Sequence, residues 1–377
     1  MTTEKVDRVL VAGGGIAGLA VRRALHRRGL PSLTLERRGG PAEAGLAINL
    51  PGNAVRVLAQ LGLLDELRAV GTRLRRREYR TERDRLLFAM DEEAFWGTEM
   101  GPHCLRRADL LCLLQLGLAP DDLRHGTGIV ACRQTEQGVE VDLENGTAET
   151  GGLLVGADGV HSRVRRSLFD DRAPGAALLA SQSWRVMVPN PGVEAWTLWA
   201  GAGALFLLIP VDRGEAYAWI SASGGAGEGL DPSGLRQAFA SFPRLVRETL
   251  EAVLARPAGL HHSPLEEVRI PAWTSDRAVL VGDAAHATAP VWAQGAALAL
   301  EDALVLADLL AGASDWRSVG RDYERLRRPR VAHVQAMTDR LSRTARMPGW
   351  ARTLLLPLVG PRSYRATYAP LRMAVTA

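Results

Sequence analysis

The chain has 377 residues, of which 47% are hydrophobic and 23% are charged, an ordinary composition for a globular protein of about two domains. No apolar run reaches the ~20 residues that span a bilayer, and the N-terminus has no signal-like apolar stretch, so we expect a cytoplasmic protein without a membrane partner. Although the net charge is +4, the most basic stretch (73–85) is interspersed with acids, so we expect no nucleic-acid partner. The cysteines form no C-x-x-C pair and the histidines show no metal-ligand spacing, which predicts no metal site.

The first predicted unit is a βαβ segment. Residues 6–12 form a β-branched run that ends in three glycines, which is typical of a buried parallel strand. Apolar residues then recur at helical spacing over 16–28, and Gly29 ends the helix. Residues 33–36 predict a second strand. This pattern is the smallest piece of a doubly wound sheet.

The following segment alternates predicted helices and strands. Amphipathic patterns predict helices at 54–70 and 108–118. Two short runs, 129–134 and 139–143, predict strands, and Asn145-Gly146 behind them is a strong turn signal.

The pattern changes between residues 176 and 270, where short runs rich in Trp, Phe, Tyr and Val alternate with Pro and Gly turns. This alternation is typical of an antiparallel sheet. A parallel strand is again predicted at 278–281, followed by a long helix at 296–310. The last thirty residues contain four prolines, so we expect them to wrap the surface in short pieces.

Residues 13–18 form a G-x-G-x-x-G motif between the first strand and helix. Gly13 allows a tight turn, Gly15 lets the backbone approach a pyrophosphate, and Gly18 lets helix and strand pack closely. Glu36 lies eighteen residues after Gly18, where a carboxylate can accept hydrogen bonds from a ribose. The motif predicts a dinucleotide site without distinguishing NAD from FAD.

Two further motifs, 156–165 and 282–303, each place an aspartate directly beyond a predicted parallel strand. Asp158 and Asp283 therefore fall in the crevice where α/β sheets bind ligands, and their carboxylates can accept bonds from ribityl or ribose hydroxyls. A helix cap or turn is the alternative for Asp158.

These three motifs, in this order and spacing, resemble the single-component flavoprotein aromatic hydroxylases, the class that includes para-hydroxybenzoate hydroxylase. The resemblance covers residues 6–330. It implies an α/β fold in which a Rossmann-like FAD-binding domain of the GR2 type is interrupted by a β-rich antiparallel substrate domain. The implied boundaries are 1–72, 100–175 and 270–345 for the FAD-binding domain, 73–99 and 176–269 for the substrate domain, and 346–377 for a C-terminal segment.

Carried over by position, the resemblance implies a set of cofactor contacts, with Arg106 as an alternative register for Arg107. Pro290, Gly295 and Ala296 would lie at the isoalloxazine ring in a catalytic role, where partial positive charge stabilises reduced flavin. Ala293 and Ala297 depart from the family pattern and put flavin mobility in question. The implied FAD contacts are Gly13, Gly15, Ile16, Ala17, Gly18, Glu36, Arg37, Arg107, Asp158, Arg165, Asp283, Pro290, Gly295, Ala296 and Ala297.

The resemblance also implies the reaction. NADH or NADPH would reduce a non-covalent FAD, O2 would add at flavin C4a, and the hydroperoxide would hydroxylate or epoxidise a small aromatic or polycyclic substrate. The protein would be a monomer or homodimer. Two alternatives stay open: an FAD-dependent dehydrogenase or reductase, and a catalytically silent flavin protein that sequesters a labile metabolite. A flavin-dependent halogenase is excluded because the only lysine, Lys5, precedes the first strand.

Four residues are candidate substrate contacts. Trp184 and Trp219 lie on predicted strands of the sheet that should cover the flavin, although most sheet aromatics are core residues. Arg185 is a guanidinium on an otherwise apolar strand and needs an anionic or polar partner. Trp292 lies on the turn expected beside the flavin ring.

Overall fold

The computed structural model describes residues 8–40, 46–169, 176–180, 183–222, 231–262, 264–345 and 349–375. Residues 6 and 7 of the predicted first strand lie outside this part. The strands are β1 (Val9–Ala12), β2 (Ser32–Leu35), β3 (Ala47–Leu50), β4 (Thr72–Arg73), β5 (Arg76–Thr81), β6 (Leu86–Asp91), β7 (His103–Arg106), β8 (Leu123–Arg124), β9 (Ile129–Gln134), β10 (Val139–Leu143), β11 (Ala148–Gly151), β12 (Leu153–Gly156), β13 (Ala177–Ala180), β14 (Ser183–Pro189), β15 (Trp196–Ala200), β16 (Ala204–Pro210), β17 (Glu215–Ala222), β18 (His261–His262), β19 (Leu265–Glu267), β20 (Thr274–Ser275) and β21 (Ala278–Leu280). The helices are α1 (Ile16–His26), α2 (Gly52–Gln60), α3 (Leu64–Val70), α4 (Glu92–Trp96), α5 (Arg107–Gln115), α6 (Arg163–Leu168), α7 (Pro232–Ala238), α8 (Arg244–Ala255), α9 (Asp283–His286), α10 (Gly295–Gly312), α11 (Val319–Ala345) and α12 (Gly349–Tyr368).

A six-stranded sheet in the order β20-β21-β12-β1-β2-β8 forms the centre of the first module. All neighbours pair in parallel except β20, which is antiparallel to β21. Strands β1, β12 and β21 are completely buried, as expected for parallel strands that are covered on both faces. This doubly wound sheet confirms the predicted Rossmann-like fold.

A seven-stranded sheet in the order β18-β14-β17-β16-β15-β5-β6 forms the second module. Its neighbours are antiparallel except β15 and β5, which pair in parallel because β5 comes from a separate part of the chain. Residues 73–99 therefore contribute two strands to this sheet. One face packs on α7 and α8, two helices that the strand-like pattern of the segment did not predict.

Smaller sheets complete the fold: β3-β7-β4, β11-β10-β9 and β13-β19. Strands β9 and β10 match the predicted 129–134 and 139–143. The predicted helix 54–70 is instead two helices, α2 and α3, because the chain turns at Gly62 with a left-handed φ of 72°.

The expectation that the C-terminal residues form short pieces is wrong. Helix α12 is continuous through Pro357 and Pro361. Each proline removes one backbone donor, but Tyr364 and Tyr368 of this helix are 1% and 0% exposed and lie in the main core. Burial of these two rings offsets the local cost of the prolines.

Candidate active site

A continuous cavity of about 670 Å³ is lined by both modules. One wall is formed where β1, β12 and β21 end, with Gly15, Ala157 and Asp283 on its surface. The opposing wall is the second face of the seven-stranded sheet. Helix α12 and the β5–β6 hairpin supply a third wall, through Gly360 and Phe88 among others. The cavity thus occupies the edge of a parallel sheet at which such folds bind ligands.

The glycine motif forms a cradle at the start of α1. Gly13 has a φ of 106°, and its N–H donates to the Leu35 carbonyl at 2.8 Å. A β-carbon on Gly18 would lie 1.8 Å from the Gly13 carbonyl oxygen, whereas one on Gly15 would meet nothing within 4 Å. No side chain caps α1, and Gly15, Ile16 and Ala17 face the cavity. The free helix terminus and open space fit the pyrophosphate of FAD.

Glu36 organises the same loop. Its carboxylate accepts from the Gly14 N–H at 2.6 Å and from the Arg38 N–H at 2.8 Å. Arg37 is exposed beside it and does not line the cavity. Arg107 does line the cavity, and burial lowers its pKa despite the opposing charges of Asp283 and Glu36.

The register alternative for Arg107 has a different position. Arg106 forms an ion pair with Glu215 on the seven-stranded sheet. Its neighbour Arg107 therefore has the better placement for a cofactor contact.

The second motif stabilises the elements around the cavity. Asp158 accepts from the Arg163 and Val164 N–H groups at 2.7 and 3.1 Å, so it caps α6, which was the open alternative. Arg165 donates to the carbonyls of Val160 and Ala284, each at 2.7 Å, and so ties the second motif to the third. Neither Asp158 nor Arg165 lies on the cavity wall.

Asp283 faces the cavity at the end of the third parallel strand. The surrounding protein raises the pKa of its carboxyl by removing it from bulk water, while His286, Arg185 and Arg107 oppose that rise. A β-carbon on the preceding Gly282 would lie 2.9 Å from Ala17, so α9 packs directly on α1. Asp283 is the carboxylate best placed to accept hydrogen bonds from a ribityl chain.

A tight turn between α9 and α10 (290–293) carries residues that are expected to face the flavin, and we call it the flavin-facing turn after that expectation. Pro290–Trp292 form a single 3₁₀ turn, and Ala293 adopts a left-handed φ of 52°, which is unusual for a residue with a β-carbon. Pro290, Trp292 and Ala293 line the cavity, as do Gly295 and Ala296 at the start of α10. Ala297 is fully buried in the core and does not line it, because the helix turns its side chain inward.

A buried charge network, not anticipated from sequence, holds α9 and α10 together. Arg327 on α11 is 0% exposed and donates to Asp302 at 2.7 Å and to Glu301 at 2.9 Å. Asp302 also contacts His286 Nε2 at 2.7 Å. Burial would raise the pKa of Asp302, but His286 and Arg327 hold it well below its ordinary value. In the sequence, the sign of this network was the pair of adjacent acids, Glu301 and Asp302, within the otherwise apolar helix α10.

Side-chain alternation decides which residues of the seven-stranded sheet reach the cavity. Arg185, Trp196 and Trp219 line it, whereas Trp184 and Trp199 pack on the opposite face in the core beneath α7 and α8. The prediction of Trp184 as a substrate contact is therefore wrong. Neighbouring residues on a strand point to opposite faces, so Trp184 and Arg185 cannot both face the ligand.

Several polar groups on the cavity wall have no hydrogen-bond partner in the described part of the chain. They include Arg185 Nε, Trp292 Nε1, Thr288 Oγ1 and the side-chain amide of Asn49. Trp219 differs, because its Nε1 donates to Ser183 Oγ at 2.7 Å. Buried polar atoms without partners are costly, so these positions indicate where ligand atoms complete the site.

A second buried cluster connects the sheet, α4, α12 and the flavin-facing turn. Arg77 donates to Glu92 at 2.8 Å, and its guanidinium lies 4.4 Å from the centre of the Trp196 ring. The Tyr368 hydroxyl donates to the Trp292 carbonyl at 2.7 Å and receives a weak bond from Arg77 at 3.3 Å. Sequence reasoning missed this cluster, because Arg77 and Tyr368 are 291 positions apart.

Within the described ranges, no cluster of three or more His, Cys, Asp or Glu side chains could hold a metal ion. None of the described helices is long and apolar enough to cross a bilayer.

Comparison with known proteins shows the family of the chain and its cofactor. A family model described as an FAD binding domain matches residues 7–340. The 3-amino-4-hydroxybenzoate 2-monooxygenase PtnB3 of Streptomyces platensis is 34% identical over 350 residues, covering 87% of this chain and 85% of that protein. The 2-heptyl-3-hydroxy-4(1H)-quinolone synthase of Pseudomonas aeruginosa is 33% identical over 312 residues, covering 80% of each.

Solved structures agree with these sequence relatives. Klebsiella pneumoniae HpxO, in complex with FAD and uric acid, superimposes with a TM-score of 0.82 at 25% identity, covering 97% of this chain and 92% of that one. The glycine cradle, the Asp283 carboxylate and the flavin-facing turn fit FAD, and NAD(P)H is the usual reductant in this family. The chain therefore belongs to the single-component FAD-dependent aromatic hydroxylases and is an FAD-dependent monooxygenase.

Proposed function

We propose that the protein hydroxylates an electron-rich aromatic ring whose oxygen substituent accepts a hydrogen bond from Arg185. The observation that carries this proposal is the Nε of Arg185, a buried donor on the cavity wall with no partner in the described residues. A buried guanidinium donor needs an acceptor, and an anionic oxygen is the strongest one available.

FAD and the protein have different roles in the proposed reaction. When bound, FAD supplies the oxidation-reduction and oxygen-transfer chemistry. In the proposed assignment Gly13, Gly15 and Gly18 shape the pyrophosphate cradle, and Asp283 accepts hydrogen bonds from the ribityl chain. The N-terminus of α10, beginning at Gly295, directs partial positive charge toward the electron-rich end of the ring system.

The walls of the cavity favour a planar apolar substrate. Leu198, Leu207 and Ile209 of the sheet and Leu87 of the hairpin line it with aliphatic groups, and these exclude water from the reacting ring. The positive charge of Arg185 stabilises an ionised hydroxyl, and an ionised hydroxyl makes the ring more electron-rich. Arg185 thus orients the substrate and favours its reactive form.

The named relatives are consistent with an oxygen-bearing ring. One is named for an aminohydroxybenzoate and another for an alkylquinolone, both rings with an oxygen acceptor. Of the other arginines on the cavity wall, Arg77 pairs with Glu92, and Arg80 pairs with Glu78 and Asp84. Arg107 is assigned to the cofactor. Arg185 is therefore the guanidinium that we assign to substrate.

The test is Arg185→Met, measured with a panel of phenols, hydroxybenzoates and quinolones that stimulate NAD(P)H oxidation. Loss of a charged hydrogen bond of about 1.5–3 kcal/mol should raise the KM for the active compound about tenfold to a hundredfold, with FAD content unchanged. Arg213→Met, at an exposed turn residue, is the matched control and should leave KM unchanged. An unaltered KM in Arg185→Met would contradict the assignment.

Oxygen dependence separates this function from dehydrogenation. Product mass should increase by one oxygen atom, and product should form only when O2 is present. Product formation with an artificial electron acceptor under nitrogen would instead identify a dehydrogenase.

A further inference from the structure

Helix α12 separates the cavity from the outside of the molecule. Leu356, Gly360 and Tyr364 line the cavity from one side of the helix. The other side carries a group of exposed apolar side chains, which we call the outer face. Its members are Leu354, Leu355, Leu358 and Val359, which are 68%, 41%, 66% and 49% exposed.

These four positions form one contiguous face. They are spaced at i, i+1, i+4 and i+5, and such residues lie side by side on a helix. Single exposed leucines are common on protein surfaces, but a contiguous apolar group on one helix indicates an interaction surface. Leu86, at the start of the adjoining strand β6, is also 41% exposed.

The charged side chains of α12 itself are all basic. Helix α12 contains no Asp or Glu, and Arg362 and Arg365 continue the same side of the helix, at i+4 and i+7 from Leu358. The hairpin against which α12 packs carries exposed Arg83 and Arg85 in its β5–β6 turn, where they alternate with Glu82 and Asp84. None of these four guanidinium groups forms an ion pair with a carboxylate in the described residues. Of the two acids in that turn, Asp84 is paired with Arg80.

We propose that the outer face of α12 docks on an anionic lipid surface, with the apolar residues in the interface and the arginines against lipid phosphates. Apolar side chains bordered by arginines are the pattern of a helix that lies in the plane of a membrane surface. A second copy of the chain would offer these arginines no complementary acids on the same helix.

Docking would place one wall of the cavity next to lipid. The residues of α12 that line the cavity are one helix diameter from those that would enter the interface. An apolar aromatic substrate dissolved in the membrane would then be close to the site at which it is oxidised.

The experiment is co-sedimentation of the FAD-loaded protein with vesicles of phosphatidylcholine, with and without phosphatidylglycerol. We expect binding to the anionic vesicles that weakens as salt is added. The double variant Leu354→Ser/Leu358→Ser should partition at least about tenfold more weakly, because two apolar side chains leave the interface. Arg362→Gln/Arg365→Gln should lose the preference for phosphatidylglycerol.

Leu116→Ser is the matched control, since Leu116 is 51% exposed at the end of α5, and it should bind like the unaltered protein. Turnover of a water-soluble substrate and FAD content should be the same in all variants. Equal binding by the Leu354→Ser/Leu358→Ser variant, or equal binding to both kinds of vesicle, would overturn the proposal. So would a dimer, detected by light scattering, that this variant abolishes. The assay requires no turnover, so its failure is distinguishable from failure of the proposed function.

Discussion

At the scale of single residues, the surroundings of Asp283 suit the role that we propose for it, which is to accept hydrogen bonds from the neutral ribityl hydroxyls of FAD. Asp283 lies among protein atoms that raise its pKa, yet His286, Arg185 and Arg107 keep a positive field around it. Such an acid can accept hydrogen bonds from hydroxyl groups without needing a full counter-charge from them.

We expect Asp283→Ala to lose most of its bound FAD. The substitution removes the acceptor for the ribityl chain, worth roughly 1.5–3 kcal/mol, so the dissociation constant should rise about tenfold to a hundredfold. Flavin fluorescence titration measures it. Asp283→Asn keeps an acceptor oxygen, so its dissociation constant for FAD should lie between those of the unaltered protein and Asp283→Ala. Unchanged affinity in Asp283→Ala would remove this residue from the cofactor site.

Tyr368 is a residue whose hydroxyl acts through another group. It donates to the Trp292 carbonyl at 2.7 Å, and the indole of Trp292 lines the cavity with an unpartnered Nε1. We expect Tyr368→Phe to leave FAD bound but to divert more of the NAD(P)H consumed into hydrogen peroxide. Without this bond the turn is held less firmly and water reaches the site.

The coupling ratio, product formed per NAD(P)H consumed, checks that expectation. Tyr364→Phe is the control on the same helix, because its hydroxyl donates to Glu92 at 2.5 Å and not to the flavin-facing turn. It should lower the stability and leave the ratio unchanged. A ratio that falls equally in both variants would assign Tyr368 a structural role only.

At the scale of elements, α12 shows how closely the third cavity wall is packed. A β-carbon on Gly360 would lie 2.3 Å from the Phe88 ring, so the helix touches the β5–β6 hairpin at a point where only hydrogen fits. Both residues also line the cavity.

Gly360→Ala should therefore separate the helix from the hairpin. We expect a loss of about 1–3 kcal/mol in the free energy of unfolding and a several-fold higher substrate KM. Thermal unfolding and steady-state kinetics measure the two effects. Gly312→Ala, near the end of α10 where a β-carbon meets nothing within 4 Å, should slightly stabilise the protein and leave KM unchanged. If Gly360→Ala instead raised the free energy of unfolding, the helix and the hairpin would be able to separate without cost, contrary to this prediction.

At the scale of the whole molecule, the cavity is shared by the two modules. Residues of the parallel sheet, the seven-stranded sheet and α12 all contribute to it. A ligand that binds there contacts elements that are distant in sequence, and it binds only when they are assembled.

Removal of FAD should therefore lower the stability of the complete protein. At a free FAD concentration of about 100 times its dissociation constant, linkage predicts about 2.7 kcal/mol of stabilisation. Calorimetry of the FAD-loaded and FAD-free proteins should show a lower Tm without FAD, restored by adding it back. Glu36→Gln, which weakens the hydrogen bonds that hold the glycine loop, should reduce the increase in Tm that FAD produces. An FAD-independent Tm would contradict the shared-site description.

The sequence alone predicted the features that depend on local pattern. The β1-α1-β2 unit, the strands β9 and β10, and the position of Asp283 after a buried strand all follow from periodicity, glycine chemistry and short spacing. Trp292 lines the cavity, and its place on the turn followed from the resemblance, because few residues separate it from Pro290 and Gly295. The family followed from three such motifs in order.

Only the tertiary structure decided which buried charges meet and which helix closes the cavity. Arg77, Glu92 and Tyr368 come from three separate segments, and Arg327 reaches Asp302 from another helix. A buried charge is tolerable only when its partner is supplied in the fold, so no single segment signals the pair. The prolines of α12 led to the wrong expectation of a broken helix because their cost is local and visible in the sequence. The burial that offsets this cost involves distant parts of the chain and is visible only in the fold.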